Sequence, residues 1–305
     1  MKKLLALIGG VFILLLGIVG LIMPVLPGWP LIFVGLSIIA PAAAFRMKYR
    51  IDLKLYKRDV VYFSEWRKEK VDTGVTTKFF PVFLKKTDDL EAAENQTKLA
   101  IALSQSREVK AKKIGFGGSF AYLNQVHGDK VAVIEGDDCK ASGFYRYEGT
   151  DAAITNIAGL TLLAMSADCL TIFFYAPGWV GIAHAGWRGT KTGIAKKTLL
   201  TLMQKSGAPA SEVRVILGPS ICRKHYEVGE EFKDHFTPPY LKKVGGRYHL
   251  DLVKANRKPL LRAGVPFNNI SVSGLCTIGH KKHFYSHRAE KDSAGRMVSF
   301  IQLHA

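Results

Sequence analysis

Apolar and polar positions divide the chain into two unlike parts. Residues 4–23, LLALIGGVFILLLGIVGLIM, are twenty consecutive positions without a charge. A helix of that length crosses a hydrocarbon core of roughly 30 Å. The run also exceeds a signal-peptide core of about 7–15 residues. PVLPGWP (24–30) breaks it, with a tryptophan suited to the membrane interface. A second apolar run, 31–45, is short for a full span; Ala42-Ala43-Ala44 within it leaves a cleavage site open as an alternative. Lys2 and Lys3 precede the first run, and residues 46–70 carry nine basic against four acidic side chains. Basic residues gather on the cytoplasmic side of membrane segments. The pattern therefore predicts a helical hairpin anchor over 1–45 and a basic juxtamembrane linker over 46–70, attracted to anionic lipid. A domain over 71–305 would then face the cytoplasm.

From residue 71 the pattern becomes globular. Leu90, Ala93, Leu99 and Leu103 recur at helical spacing within 88–106, behind acidic residues in the first turn. An amphipathic helix is expected over 191–208, closed by Gly207 and Pro209, and another over 256–263, closed by Gly264. The tail 293–303, SAGRMVSFIQL, reads as helical. Strands are expected at 131–134, 160–165, 168–175, 179–185, 213–217 and 269–273. Helices and strands mix without strict alternation or repeat, which implies an α/β domain with mixed β-sheets layered with helices.

Charge and cysteine content narrow the class. The net charge is +18 over 305 residues, which suits an anionic partner such as phosphate, a nucleotide or anionic lipid. An ordinary basic surface is the competing explanation. Zinc-finger, helix-turn-helix and RNP-like patterns are absent, so no nucleic-acid partner is expected. The four cysteines, Cys139, Cys169, Cys222 and Cys276, are sparse and form no CxxC pair. They read as reduced thiols rather than a disulfide framework.

The candidate chemistry lies in ADCLTIFFYAPGWVGIAHAGWRG (167–189). Two apolar strands joined at Ala176-Pro177-Gly178 form an antiparallel pair, which places the start of one beside the end of the other. Cys169 and His184 then share one rim of the sheet. His127, in a polar turn before the strand 131–134, offers a third ligand. Three protein ligands with an open fourth position suit catalytic zinc. The alternatives are a buried structural cysteine with a core histidine, or Cys169 as a nucleophile beside a histidine. Arg188 and Arg288 are candidates for binding an anion. HKKHFYSHR, with His280, His283 and His287, reads as a basic loop. Cys276 is either core or pocket wall; Cys139 and Cys222 read as incidental.

Taken together, NQVHG (124–128), DAAIT (151–155), ADC (167–169), AHAGWRG (183–189), LGPSI (217–221), YEVGEEF (226–232), SGLCT (273–277) and FYSHR…AGR (284–296) resemble the YfiH or laccase-domain family. The resemblance covers about 71–305. It implies zinc held by His127, Cys169 and His184, a Cys-His₂ set that could also take copper. It implies phosphorolysis of adenosine, inosine, guanosine and methylthioadenosine, and deamination of adenosine, with purine nucleosides and inorganic phosphate as substrates. Zinc-activated water attacking C6 of adenine fits that chemistry. The PGWP stretch resembles a family of transmembrane proteins with a PGPGW-type motif, which implies membrane insertion only. One departure concerns substrate. Where the family carries an arginine and Gly-Gly, this chain has Lys78 and Phe79-Phe80, and lysine cannot form a bidentate guanidinium contact. That change motivates a second reading, a non-catalytic zinc-binding module tethered to the membrane. A copper-dependent polyphenol oxidase is a third, disfavoured because nine histidines include no His-x-His pair.

Overall fold

The computed structural model describes residues 60–78, 84, 87–91, 93–105, 118–136, 138–139 and 142–304. The expected anchor at 1–45 and Phe79-Phe80 lie outside the described residues. Among the described residues no helix is long and apolar enough to cross a membrane.

In chain order the elements are β1 (Val60–Tyr62), β2 (Val71–Thr76), α1 (Ala93–Gln105), β3 (Ser119–Asn124), β4 (Val131–Ile134), β5 (Gly143–Glu148), β6 (Ala152–Thr155) and β7 (Leu160–Ser166). Then follow β8 (Leu170–Ala176), β9 (Trp179–Ala185), α2 (Trp187–Thr192), α3 (Ile194–Ser206), β10 (Arg214–Leu217), β11 (Glu227–Val228), β12 (Leu241–Val244) and β13 (Arg247–Leu250). The last are α4 (Leu252–Arg262), β14 (Ile270–Val272), α5 (His287–Glu290) and β15 (Met297–Leu303). One sheet runs β1-β2-β15-β7-β3-β5, a second β14-β10-β8-β9-β6-β4, and a small third β11-β13-β12. Parallel and antiparallel pairs occur in both large sheets, so the fold is mixed α/β.

The two large sheets face one another, with a helix on each outer side. Alternation along β8 explains the arrangement. Leu170, Ile172 and Phe174 pack with Ile194, Leu199 and Leu202 of α3. Thr171 and Phe173 turn the other way: Ser299 Oγ donates to Thr171 Oγ1 at 3.1 Å, and the Phe173 ring lies 5.6 Å from Phe63. A strand buried on both faces reads as a continuous apolar run. On the far side, Leu99, Ala102 and Leu103 of α1 cover Phe120, Leu163 and Phe300.

Three expectations are corrected. Residues 60–69 are part of the domain and not of a linker: β1 pairs antiparallel with β2, and Val60, Val61, Phe63 and Trp66 are buried. Their basic neighbours hide an apolar set that the sheet edge needs. The tail at 293–303 is not a helix. Its residues 297–303 form β15, hydrogen-bonded between β2 and β7 and buried along its whole length. A fully buried strand has no period-2 signal to separate it from a buried helix. The expected helix over 191–208 is two, α2 and α3, divided at Gly193 with φ +84°.

Candidate active site

Register builds the site. Thr171 pairs with His184 and Leu170 with Ala185, so Cys169, one residue before β8, lies beside His184 at the sheet rim. His127 comes from the loop after β3. The ligand atoms of His127, Cys169 and His184 all lie within 4.8 Å of one another. The His127 and His184 rings meet edge to face, centroids 4.9 Å apart.

Asp151 organises this group and is fully buried. Its Oδ1 accepts from His184 Nδ1 at 2.8 Å and from His127 N at 3.0 Å. Its Oδ2 accepts from Val126 N at 3.1 Å and Gly128 N at 2.7 Å. With Nδ1 so engaged, His184 offers Nε2 to the cavity, the carboxylate–histidine arrangement that orients a metal ligand. The amide bonds also hold His127 at φ +60°, a left-handed conformation uncommon outside glycine. Burial alone would raise the Asp151 carboxyl; His184 and the loop amides outweigh it and hold it below its ordinary value.

The electrostatics pair a thiolate with an imidazolium whose proton a bound metal would displace. Burial would push the Cys169 thiol up, but the His184 charge and hydrogen bonds from His127 and His184 bring it down to about 6. Burial would push His184 down, but Cys169 and Asp151 raise it to about 9. A thiolate and two imidazoles, one backed by a carboxylate, are a donor set that suits Zn²⁺ and also copper. Space is reserved there too. A Cβ on Gly186 would lie 3.0 Å from Cys169 Sγ and 3.0 Å from His127 Cδ2, and one on Gly189 would meet Gly128 O at 2.6 Å.

The family model described as multi-copper polyphenol oxidoreductase laccase matches residues 72–304. The chain belongs to that family. It is 37% identical over 191 residues to "Purine nucleoside phosphorylase YlmD" of Geobacillus stearothermophilus, covering 58% of this chain and 69% of that protein. It is 37% identical over 223 residues to "Purine nucleoside phosphorylase" of Deinococcus radiodurans, covering 71% and 79%. Among solved structures, the hypothetical protein YfiH of Bacillus licheniformis superposes with TM-score 0.67 at 29% identity, covering 82% of this chain and 98% of that one. YlmD of G. stearothermophilus superposes with TM-score 0.65 at 30% identity, covering 77% and 93%.

In this member of the laccase family the triad borders a cavity of about 330 Å³, whose wall also carries Gln125, Met165, Ser166, His287 and Arg296. Arg188 and Arg288 do not line it. Arg188 is exposed, its guanidinium 4.4 Å from the centroid of the Trp187 ring. Arg288 Nη1 donates to Glu227 O at 2.7 Å, and its guanidinium sits 5.3 Å from the centre of the Tyr226 ring. Lys78 forms an ion pair with Glu290 and lies 5.1 Å over Tyr285.

Three residues of this neighbourhood escaped the sequence reading: Asp151, Asp168 and Arg296. Asp168, at φ +93°, accepts from Thr277 Oγ1 at 2.5 Å and from Arg288 N at 2.7 Å, tying α5 and the 273–277 loop to Cys169. All three lie in motifs that carried the resemblance, DAAIT, ADC and AGR, but no spacing rule marks them out. Tyr226 lies close enough to feel the charges of Cys169, Arg288 and Arg188. Burial first, and Cys169 second, keep its phenol protonated well above the ordinary range.

Proposed function

We propose that the protein is a zinc-dependent purine nucleoside enzyme. In this reading it converts adenosine, inosine, guanosine or methylthioadenosine with phosphate to the free base and ribose 1-phosphate or its 5-methylthio form. It also deaminates adenosine to inosine by hydrolysis. The observation that carries the reading is the convergence of Cys169, His127 and His184 on one point, with Asp151 behind His184. The names of the relatives support the substrate class. Zinc held there by His127, Cys169 and His184 would supply Lewis-acid activation of water at neutral pH.

The chain's own groups account for the remaining needs. In phosphorolysis a phosphate oxygen bonds to C1′ as the C1′–N9 bond breaks, so the site must hold an anion beside a developing positive sugar. Arg296 and His287 sit on the cavity wall for that purpose. Arg188 and Arg288 extend the positive field across Tyr226, whose protonated phenol can donate to a phosphate or ribose oxygen. Residues 4–45 are read as a membrane anchor that keeps the domain, residues 60–305, on the cytoplasmic side. Protease protection of a tag on either terminus in sealed vesicles tests that topology.

The deciding experiment incubates the purified chain, and His184→Ala, with adenosine, with and without phosphate. The expected products are inosine, and adenine released only when phosphate is present, both lost in the mutant. A folded, zinc-loaded chain that converts none of the four nucleosides would sink the enzyme reading. The engagement of Lys78 by Glu290 would then favour the non-catalytic zinc module. Metal analysis of the active species distinguishes zinc from copper.

A further inference from the structure

A second convergence of soft ligands lies at the carboxyl ends of β10 and β14. These strands run parallel, Val215 beside Ile270 and Leu217 beside Val272. A parallel bridge between Ser220 and Cys276 continues the pairing into the loops that follow. Ser220 N donates to Leu275 O at 3.1 Å and Thr277 N to Ser220 O at 3.2 Å. The loops are therefore fixed against one another by backbone. On them Cys222, His225 and Cys276 come together, with ligand atoms all within 4.8 Å.

We propose that Cys222, His225 and Cys276 form a second metal site, for a thiophilic divalent ion of the zinc class. Cys222 and His225 stand at Cys-x-x-His spacing on a single turn, closed by His225 N to Cys222 O at 2.9 Å. His225 Nδ1 lies 3.3 Å from each of the two sulfurs. In a tetrahedral zinc site with Zn–S of about 2.3 Å and Zn–N of about 2.0 Å, that edge is roughly 3.5 Å. Both N–S edges thus stand close to their bound separation, and the two sulfurs lie within 4.8 Å of one another. Cys276 Sγ also accepts two backbone amides, from Cys222 N and Gly279 N, each at 3.4 Å. These two contacts fix the sulfur against the Cys222 turn and the turn that follows Cys276. Cys276 is buried and Cys222 half-buried. Cys222 borders a separate cavity of about 530 Å³ that is also lined by His249 and Asp251.

The site has a structural consequence for the first one. Ile221 N donates to Asp168 O at 2.9 Å, and Thr277 Oγ1 to Asp168 Oδ1. Ile221 is adjacent to Cys222 and Thr277 to Cys276. A metal at the second site would clamp two of the three hydrogen-bond partners of Asp168, the residue before Cys169. It would also fix the turn that delivers Tyr226. The inference stands whether or not the chain turns over nucleosides.

The test loads the metal-stripped full-length chain with Zn²⁺ and counts equivalents by native mass spectrometry. Two are expected, falling to one in Cys222→Ser, in His225→Gln and in His184→Ala. Loading with Co²⁺ gives a mutation-free reading. Thiolate-to-cobalt charge-transfer absorption should have the strength of three Co–S bonds, and of one if only Cys169 binds. A wild-type chain that never exceeds one zinc would overturn the proposal. So would a second zinc that persists in both loop variants, or a Cys222–Cys276 disulfide in its place. If the loop variants do not fold, the cobalt intensity of the unmodified chain decides.

Discussion

Replacing Asp151 with asparagine should separate the positioning of the site from its ligands. The carboxylate receives four donors: the amides of Val126, His127 and Gly128, and Nδ1 of His184. Asparagine keeps the shape but has one acceptor oxygen, and its NH₂ group must face two of those donors. The oxygen will stay on the Oδ1 side, where it keeps the buried His184 ring and His127 N. Val126 N and Gly128 N then point at another donor. Losing two such bonds at a partly buried site costs about 2–4 kcal/mol. Weaker support of a ligating histidine costs about 10–100-fold in metal affinity. Two measurements check this. Amide exchange at Val126 and Gly128 should accelerate by more than 10-fold, and competition with a chromophoric chelator should show zinc binding weakened by at least 10-fold. His127 and His184 are untouched in this variant. Unchanged exchange together with affinity within about twofold of the parent would refute the idea that Asp151 organises the site.

Three further outcomes follow from distances at the same rim. Gly186→Ala places a methyl 3.0 Å from both Cys169 Sγ and His127 Cδ2; the fold should survive, with zinc affinity reduced by about 10-fold or more, read by the same competition. Gly189→Ala meets the carbonyl of Gly128 at 2.6 Å, an atom of backbone that cannot rotate away. It should lower thermal stability by about 1–3 kcal/mol, and a Tm equal to the parent's would show that the 127–128 loop is not held there. Thr277→Val removes the hydroxyl that serves the buried Asp168 and should destabilise the chain by about 1–3 kcal/mol, measured by urea denaturation.

How much of this was legible in the sequence depends on which signal each residue carries. Strands β4 and β9 match their expected limits, because each apolar run ends at a polar or glycine-marked turn. The antiparallel pairing of β8 with β9 followed from the short Ala176-Pro177-Gly178 bend, and it alone predicts that Cys169 and His184 are neighbours. His127 was found as a residue type in a turn; its approach to the others depends on the long-range capture of its loop by Asp151, which no local pattern encodes. β15 was misread because burial on both faces erases periodicity. β1 was hidden by the positive charges around it. Arg188 and Arg288 were chosen for charge, yet their guanidinium groups rest on aromatic rings, while Arg296, also basic and in a quoted motif, reaches the cavity.

The same contrast explains why the second cysteine cluster was invisible. Cys222 and Cys276 are 54 positions apart, and neither belongs to a CxxC pair. What joins them is the parallel pairing of β10 with β14, a non-local contact that a linear reading cannot supply. Parallel strands bring their carboxyl ends, and the loops after them, to one edge of a sheet, where open α/β sheets place their ligands. The Cys169 rim arises differently, from an antiparallel hairpin and a loop captured by a buried carboxylate. Asp168 touches both constructions, through Ile221 and Thr277 on one side and by chain continuity with Cys169 on the other. Asp168 is therefore a direct link between the two clusters. Thr277→Val should weaken metal retention at the Cys169 rim even though it removes no ligand, whereas Lys205→Ala, whose exposed ion pair with Glu135 touches neither cluster, should leave both unchanged.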